Sequence, residues 1–161
     1  MSEEHPSSVK SRARAAGTAL VLLVAALPVW ASLGGDASSV QTDQVHMQGT
    51  RQTTTTQSYT VSEIRAATGT VVREYASSTG TVFAIAWHGP WPPDMHQLLG
   101  SYFEQYVQAA KAQSAARMGR RPLMIEQPGL VVQSGGHPRA FSGKAYVPEM
   151  LPQGVRAEDL R

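Results

Sequence analysis

The chain has 161 residues, of which 42% are hydrophobic and 16% are charged, with a formal net charge of +2 and no cysteine. This length fits one small domain and argues against several. The lack of cysteine excludes disulfides and a lipid anchor on cysteine, and the small net charge gives no indication that nucleic acid or an acidic membrane is a partner.

The N-terminal segment has the order of a secretory signal peptide. An apolar run over residues 15–31 follows three basic residues, Lys10, Arg12 and Arg14. The run ends in small side chains, which favours cleavage after Ala31. An uncleaved membrane anchor is the alternative, but Gly17 and Pro28 interrupt a run that is already short for a span. We therefore predict a periplasmic or secreted protein that meets the membrane only through a transient signal peptide, residues 1–31.

The segment that follows the signal peptide is polar. Residues 32–58 are rich in glycine, serine, glutamine and threonine, and this composition predicts a flexible lead. An edge strand within it is the alternative, because threonine favours extended backbone. The domain itself is expected over residues 59–161.

Three β-prone segments begin the domain, separated by two breaks that contain glycine. They are SYTVSEI, TVVREYA and TVFAIAW. The breaks predict a three-stranded antiparallel meander. The first two segments are expected to keep one face exposed to solvent, whereas the third is apolar on both faces, as in a central strand. Strict alternation places Val82, Ala84 and Ala86 on one face of the third strand and Phe83, Ile85 and Trp87 on the other.

A turn rich in tryptophan and proline, residues 87–93, ends the third strand because proline cannot continue a ladder. Asp94 is then expected to cap a helix whose apolar residues recur at spacings of three and four. The apolar face of this helix, which includes Leu99, Phe103 and Tyr106, should pack on the sheet. Gly100 is expected to permit a close approach to that sheet.

A second hairpin is predicted after the helix, with strands over 130–133 and 139–147 around a glycine-rich loop at 134–138. The expected fold class is therefore α+β. It consists of an antiparallel sheet of about five strands, in the chain order of three strands, one helix and two strands, packed on one amphipathic helix.

The chain resembles an uncharacterised exported proteobacterial family, domain of unknown function 2844, in two blocks, GTVVREYASSTGTVFAIAWHGPWPPDMHQLLGSYFEQY and SGGHPRAFSGKAYVPEMLPQGV. The resemblance covers nearly all of the chain after residue 31. It implies a small exported protein, and it implies no catalytic residue.

The sequence offers one weak candidate for nucleophilic catalysis. His137 lies near Ser134 and Ser142, with Lys144 close by, but neither a G-x-S-x-G elbow nor an S-x-x-K pair is present. A polar hairpin turn is the simpler interpretation. No catalytic residue is therefore assigned.

Metal binding has similarly little support from the sequence. His88, Asp94 and His96 lie near one turn, but their spacing is not that of histidines on one helix face. We predict neither a metal nor a cofactor.

The turn after the central strand is the strongest candidate for a binding surface. If the final hairpin pairs beside that strand, His88, Trp91 and His137 would meet at one rim and form a binding site. The structural alternative is that Trp87 and Trp91 both cap one end of the core.

These observations favour a non-enzymatic exported binding or accessory protein, whose partner is another exported protein or an envelope component. One alternative is a small cell-envelope hydrolase that uses His137 and a serine. Another is an assembly subunit, which would show a free strand edge or a self-complementary surface. Nucleic acid is not expected, because the cations near the helix end have no aromatic platform beside them: Lys111, Arg117, Arg120 and Arg121.

Overall fold

The computed structural model describes residues 32–116 and 122–161, so the predicted signal peptide and Arg117, Arg120 and Arg121 lie outside the described residues. Seven strands form one antiparallel sheet in the order β1-β2-β3-β4-β7-β6-β5. They are β1 (Thr50–Thr55), β2 (Tyr59–Arg65), β3 (Val71–Ser77), β4 (Val82–Gly89), β5 (Leu123–Gln127), β6 (Leu130–His137) and β7 (Ala140–Tyr146). The mixed α and β content, the single antiparallel sheet and the central position of β4 are confirmed. The sheet has seven strands rather than five, because β1 and β5 extend its two edges.

The helices are α1 (Val40–His46), α2 (Met95–Leu99) and α3 (Phe103–Ala116), with a 3₁₀ turn at Gly100–Tyr102 between the last two. Asp94 caps α2 as predicted, since its Oδ1 accepts bonds from the backbone amides of His96 at 2.9 Å and Gln97 at 3.2 Å. Within the described residues, no helix has the length and apolar character needed to cross a membrane.

The sequence predicts that Gly100 lets the helix pack closely on the sheet, but the glycine has a different role. Its φ of 50° favours glycine, and a Cβ at this position would lie 2.2 Å from the Oγ of Ser32. The glycine therefore makes room for the segment that leads into Leu33, whose backbone amide donates to the carbonyl of Leu98 at 2.9 Å.

Residues 32–58 form regular structure instead of the expected flexible lead. Leu33 is fully buried beneath α2, and the amide of Gly34 donates to the carbonyl of Val82 at 2.8 Å. Val40 of α1 packs on Ile64 of β2, and β1 pairs with β2 along its whole length. A few apolar side chains thus anchor this segment to the core, although its overall composition is polar.

A β-bulge changes which residues of β4 share a face. Tyr75 pairs with Ala84 and Ala76 pairs with Val82, so Phe83 has no partner on β3. The predicted alternation is correct from Ala84 onward and wrong at Val82 and Phe83, whose faces are exchanged. Phe83 consequently joins the core on the side opposite the helices.

Both faces of the central strands are covered. On one face, Leu98, Leu99, Phe103 and Tyr106 pack against the sheet, as predicted for the apolar side of the helix. On the other face, the C-terminal segment packs Leu151, Val155 and Leu160 over Tyr75 and Phe83. The expectation that β3 keeps one face exposed to solvent is therefore wrong, because the C-terminal segment covers one face of β3 and α1 covers the other.

The two edges of the sheet differ. At β5, α3 lies against the edge, where the side-chain amide of Gln113 donates to the carbonyl of Met124 and that of Gln105 donates to the carbonyl of Pro128. At β1, all six residues are exposed.

Candidate functional site

The three residues expected at one rim lie at the same end of the sheet. β7 pairs with β4, so the hairpin that ends in His137 lies beside the end of β4. His88 and His137 are both exposed, and Trp91 is 61% exposed in the turn after β4. His88 and Trp91, however, line two different cavities.

His88 lines the larger of these two cavities, which has a volume of about 660 Å³ and which we call the basic groove. Ligand sites in proteins commonly enclose volumes of this size. The lining of the basic groove includes Arg73, His88, Pro122, Met124, Gln133, Ser142, Lys144, Leu160 and Arg161.

The strand register places the side chains of the basic groove. His88 pairs with Ser142, which pairs in turn with Gly135, and one step along the sheet Lys144 pairs with both Ala86 and Gln133. Residues at alternate positions point to one face, so these polar side chains share the face opposite the helices. Gly135 has no side chain at this position, and the groove is therefore deeper there. The C-terminal segment, ending in Leu160 and Arg161, contributes to the lining.

The basic groove is positively charged. Arg73 donates from Nε to Glu63 at 2.9 Å and from Nη1 to the backbone oxygen of Arg161 at 2.9 Å, while Lys144 Nζ donates to the carbonyl of Ala157 at 2.5 Å. A neutral carbonyl does not cancel the charge of Lys144. None of the described lining residues is acidic, but Glu63 offsets the charge of Arg73 from outside the lining, so the preference of the groove for an anion rests mainly on Lys144.

The basic groove also has apolar lining. Met124 is 47% exposed, and Pro122 and Leu160 lie among the same lining residues. An apolar surface beside a cluster of cations is typical of sites that bind organic anions, because the charge orients the ligand and the apolar surface contributes affinity.

The second cavity, of about 260 Å³, is lined by Trp91 and by the turn between β2 and β3. Thr70 Oγ1 donates to the carbonyl of Trp91 at 2.7 Å, and a Cβ at Gly89 would lie 2.5 Å from the Cα of Thr70. These contacts fix the turn while leaving the indole exposed. The structural alternative is correct for Trp87, which is 4% exposed, and wrong for Trp91.

On the helix-bearing face of the sheet, the structure contains a buried pair of carboxyl groups that the sequence does not predict. Asp43 and Glu74 are 0% and 1% exposed, and Gln97 Nε2 donates to Asp43 Oδ1 at 2.6 Å. Burial, followed by the charge of Asp43, raises the pKa of Glu74 well above its usual range, and burial raises the pKa of Asp43. The pair joins α1 to β3. No sequence signal marks it, because Asp43 lies in the expected flexible lead.

The residues considered for catalysis do not converge in the register. Ser142 lies opposite His88, whereas His137 lies opposite Ala140 and has its Nδ1 3.2 Å from the carbonyl of Pro138. Among the described residues, no group of three or more histidines and carboxylates is placed to hold a metal ion.

A model of the family described as a protein of unknown function, DUF2844, matches residues 29–160 of the chain. No curated protein and no solved structure matches it.

Proposed function

The chain belongs to the DUF2844 family, and we propose that it is an exported, non-enzymatic binding or accessory protein that holds a small organic anion in the basic groove. The observation that carries the proposal is a groove whose described lining contains Lys144, Arg73 and Arg161 and no acidic residue. Export rests on the signal-peptide pattern of residues 1–31.

The lining of the groove supports a ligand of mixed chemistry. A carboxylate or phosphate group would lie near Lys144 and Arg73, with His88 and Ser142 as further hydrogen-bonding groups. An apolar body would lie against Met124 and Leu160, where burial adds affinity in proportion to area. The ligand is therefore a small amphipathic anion, either free or carried by an exported or envelope partner.

Hydrolysis by His137 and a serine has less support than binding. A hydrolase needs a base beside the nucleophile and a third group that orients the base. Two serines line the groove. Ser142 lies opposite His88 and Ser134 lies opposite Gly143, so neither lies opposite His137, and none of the described lining residues is a carboxylate that could orient either histidine. A subunit role in an assembly is the second candidate, and the exposed edge at β1 favours it.

The binding proposal is tested by calorimetry with a panel of amphipathic carboxylates and phosphates, each compared with its neutral amide or alcohol. We expect the anions to bind and the neutral analogues to bind weakly or not at all. Lys144→Gln should reduce affinity about tenfold or more, which is the usual weight of a hydrogen bond to a charged group. Affinity should also fall as salt is raised.

Lys111→Gln is the matched control, since it removes the same charge from an exposed position on α3. Thermal melts of both variants separate loss of binding from loss of the contact between Lys144 and Ala157. Equal affinity in the two variants, or equal binding of anion and neutral analogue, would contradict the proposal.

The export proposal has its own measurement. The intact mass of the protein, recovered from cells that produce it, should correspond to a chain that begins at Ser32. A full-length chain retained in the membrane would show that the segment is an anchor.

A further inference from the structure

No described residue pairs with the outer edge of β1, which leaves a row of backbone groups open there. The amide of Thr56 donates to the carbonyl of Tyr59 at 2.8 Å, which marks this pair as hydrogen-bonded across the β1–β2 hairpin. In an antiparallel ladder such pairs alternate with pairs that are not bonded. Thr54 and Gln52 therefore bond to β2, whereas the backbone amides and carbonyls of Arg51, Thr53 and Thr55 point away from it.

Apart from the charge of Arg51, β1 lacks the features that usually protect an edge strand, as far as the described residues show. Natural edges are shortened, bulged, broken by proline or covered by another element. β1 runs for six residues, keeps an unbroken register with β2 and contains no proline. The opposite edge is protected, since Gln113 of α3 donates to the carbonyl of Met124 in β5.

We propose that β1 pairs with β1 of a second copy of the chain, antiparallel, across a two-fold axis at Thr53. In this register Thr53 lies opposite itself and Arg51 lies opposite Thr55. The outward-facing residues are then the ones that meet, which is the condition for hydrogen-bonded pairs in an antiparallel ladder. The two sheets become one continuous sheet, with the helices of both copies on the same side.

Charge and pairing length favour this register among the symmetric ones. Axes at Gln52 and Thr54 would also let outward-facing residues meet, but each would pair two such residues of β1 rather than three. Arg51 is the charged residue of β1, and a two-fold axis at Thr53 places it opposite an uncharged threonine. An axis at Arg51 would place two guanidinium groups directly opposite each other, which is unfavourable in a sheet. An axis at Thr55 would run into the hairpin turn and leave fewer residues paired.

The side chains of the edge also suit self-pairing. The hydroxyl groups of Thr53 and Ser62 lie 3.5 Å apart, and those of Thr55 and Thr60 lie 3.4 Å apart. Threonine pairs across strands stabilise sheets, so Thr53 opposite Thr53 continues an existing row of hydroxyl contacts. Pairing along five residues of each strand buries little area, and the dimer is therefore weak and dependent on concentration.

Sedimentation equilibrium of the purified chain tests the proposal, at concentrations up to about 1 mM, where weak interfaces are occupied. The average mass of the wild-type protein should rise toward that of two chains. Thr53→Pro should remain a single chain over the whole range, because proline removes an outward-facing amide. It leaves the bonds between β1 and β2 in place. Thr53→Val keeps the amide and should still dimerise, with only a small loss of affinity from the missing hydroxyl contact.

Thr53→Arg covers the case in which the proline variant fails to fold. It places an arginine directly opposite its symmetry mate and should abolish the dimer, while the fold is retained because Thr53 is exposed. Hydrogen exchange should show slow exchange of the Thr53 amide at high concentration and faster exchange after dilution. A wild-type protein that stays monomeric at about 1 mM, or a dimer unaffected in the folded proline and arginine variants, would overturn the proposal.

Discussion

The side-chain amide of Gln97 donates to Oδ1 of Asp43 at 2.6 Å, and this bond fastens α1 to α2 inside the protein. Beside it, Asp43 Oδ2 and both carboxylate oxygens of Glu74 are buried, and in the ionised state none of the three has a hydrogen-bond partner among the described residues. Two charged carboxylates in one buried cluster repel each other and are poorly solvated. A proton shared between Asp43 Oδ2 and one oxygen of Glu74 would give two of these three oxygens a partner.

The raised pKa of Glu74 makes stability depend on pH in a defined direction. The folded protein holds a proton that the unfolded chain releases, so the contribution is complete below the unfolded pKa and is lost as pH rises through the folded pKa. His46 on α1 and Arg51 on β1 oppose the raised pKa values of Asp43 and Glu74, respectively. We expect Glu74→Gln to lessen the loss of stability with rising pH, by up to about 1.4 kcal/mol per pH unit for one proton.

Urea denaturation of the wild type and of Glu74→Gln over a pH series measures this difference. Glu104→Gln is the control, because Glu104 is exposed on α3 and its loss should leave the pH dependence as it is. If Glu74→Gln followed the wild-type curve at every pH, the shared proton would be ruled out.

Leu99 lies at the centre of the contact between α2 and the sheet and is fully buried. Leu99→Ala should lower the free energy of unfolding by about 2–5 kcal/mol, since it removes buried methyl groups and leaves a cavity. Ser101→Ala, at an exposed position two residues away, should change it by less than about 0.5 kcal/mol. Equal denaturation midpoints for the two variants would show that Leu99 does not pack in the core.

The two tryptophans near the end of β4 should respond differently to truncation. Trp87→Ala should cost about 3–5 kcal/mol of unfolding free energy, because Trp87 is 4% exposed within the core. Trp91→Ala should cost less than about 0.5 kcal/mol, because its indole is 61% exposed. Denaturation curves of the two variants make the comparison, and a large loss in the Trp91 variant would place its side chain in the core.

Gly143 and Gly135 lie in neighbouring strands but differ in the space around them. A Cβ at Gly143 would lie 2.4 Å from Cζ2 of Trp87 and 2.6 Å from the carbonyl oxygen of Gln133, whereas a Cβ at Gly135 would first meet Pro122 at 3.4 Å. Gly143→Ala should therefore destabilise the protein by about 1–3 kcal/mol through overpacking. Gly135→Ala should be tolerated. Thermal melts of the pair decide, and equal midpoints would contradict the close contact between Gly143 and Trp87.

Periodicity and turn chemistry predict the elements that carry a strong pattern. The apolar run of β4 and the Asp94 cap are located from residue type alone, since burial on both faces and free helix amides impose those choices. β1 carries no such pattern, because all six of its residues are exposed and no alternation is needed. β5 is only five residues long. Its sequence signal is the Pro128-Gly129 turn that follows the strand.

The candidate site is less accessible from the sequence than the fold. His88 and Trp91 are identified as turn residues, but their assignment to different cavities depends on Thr70, which fixes Trp91 toward β3. The burial of Glu74 depends on α1, and the sheet face to which the side chains of Val82 and Phe83 point depends on a β-bulge. Both arise from tertiary packing, which local patterns do not encode.

The strand order has a consequence for how fast the chain folds. In the order β1-β2-β3-β4-β7-β6-β5, each neighbouring pair of strands is joined by a short connection, except β4 and β7. Between those two strands the chain passes through α2, α3, β5 and β6. The two meanders, β1–β4 and β5–β7, close small loops, whereas docking β7 on β4 closes a large one at a higher entropic cost. We expect the rate-limiting barrier to lie at this docking step, so that substitutions along β4 and β7 slow folding while those in β1 mainly speed unfolding.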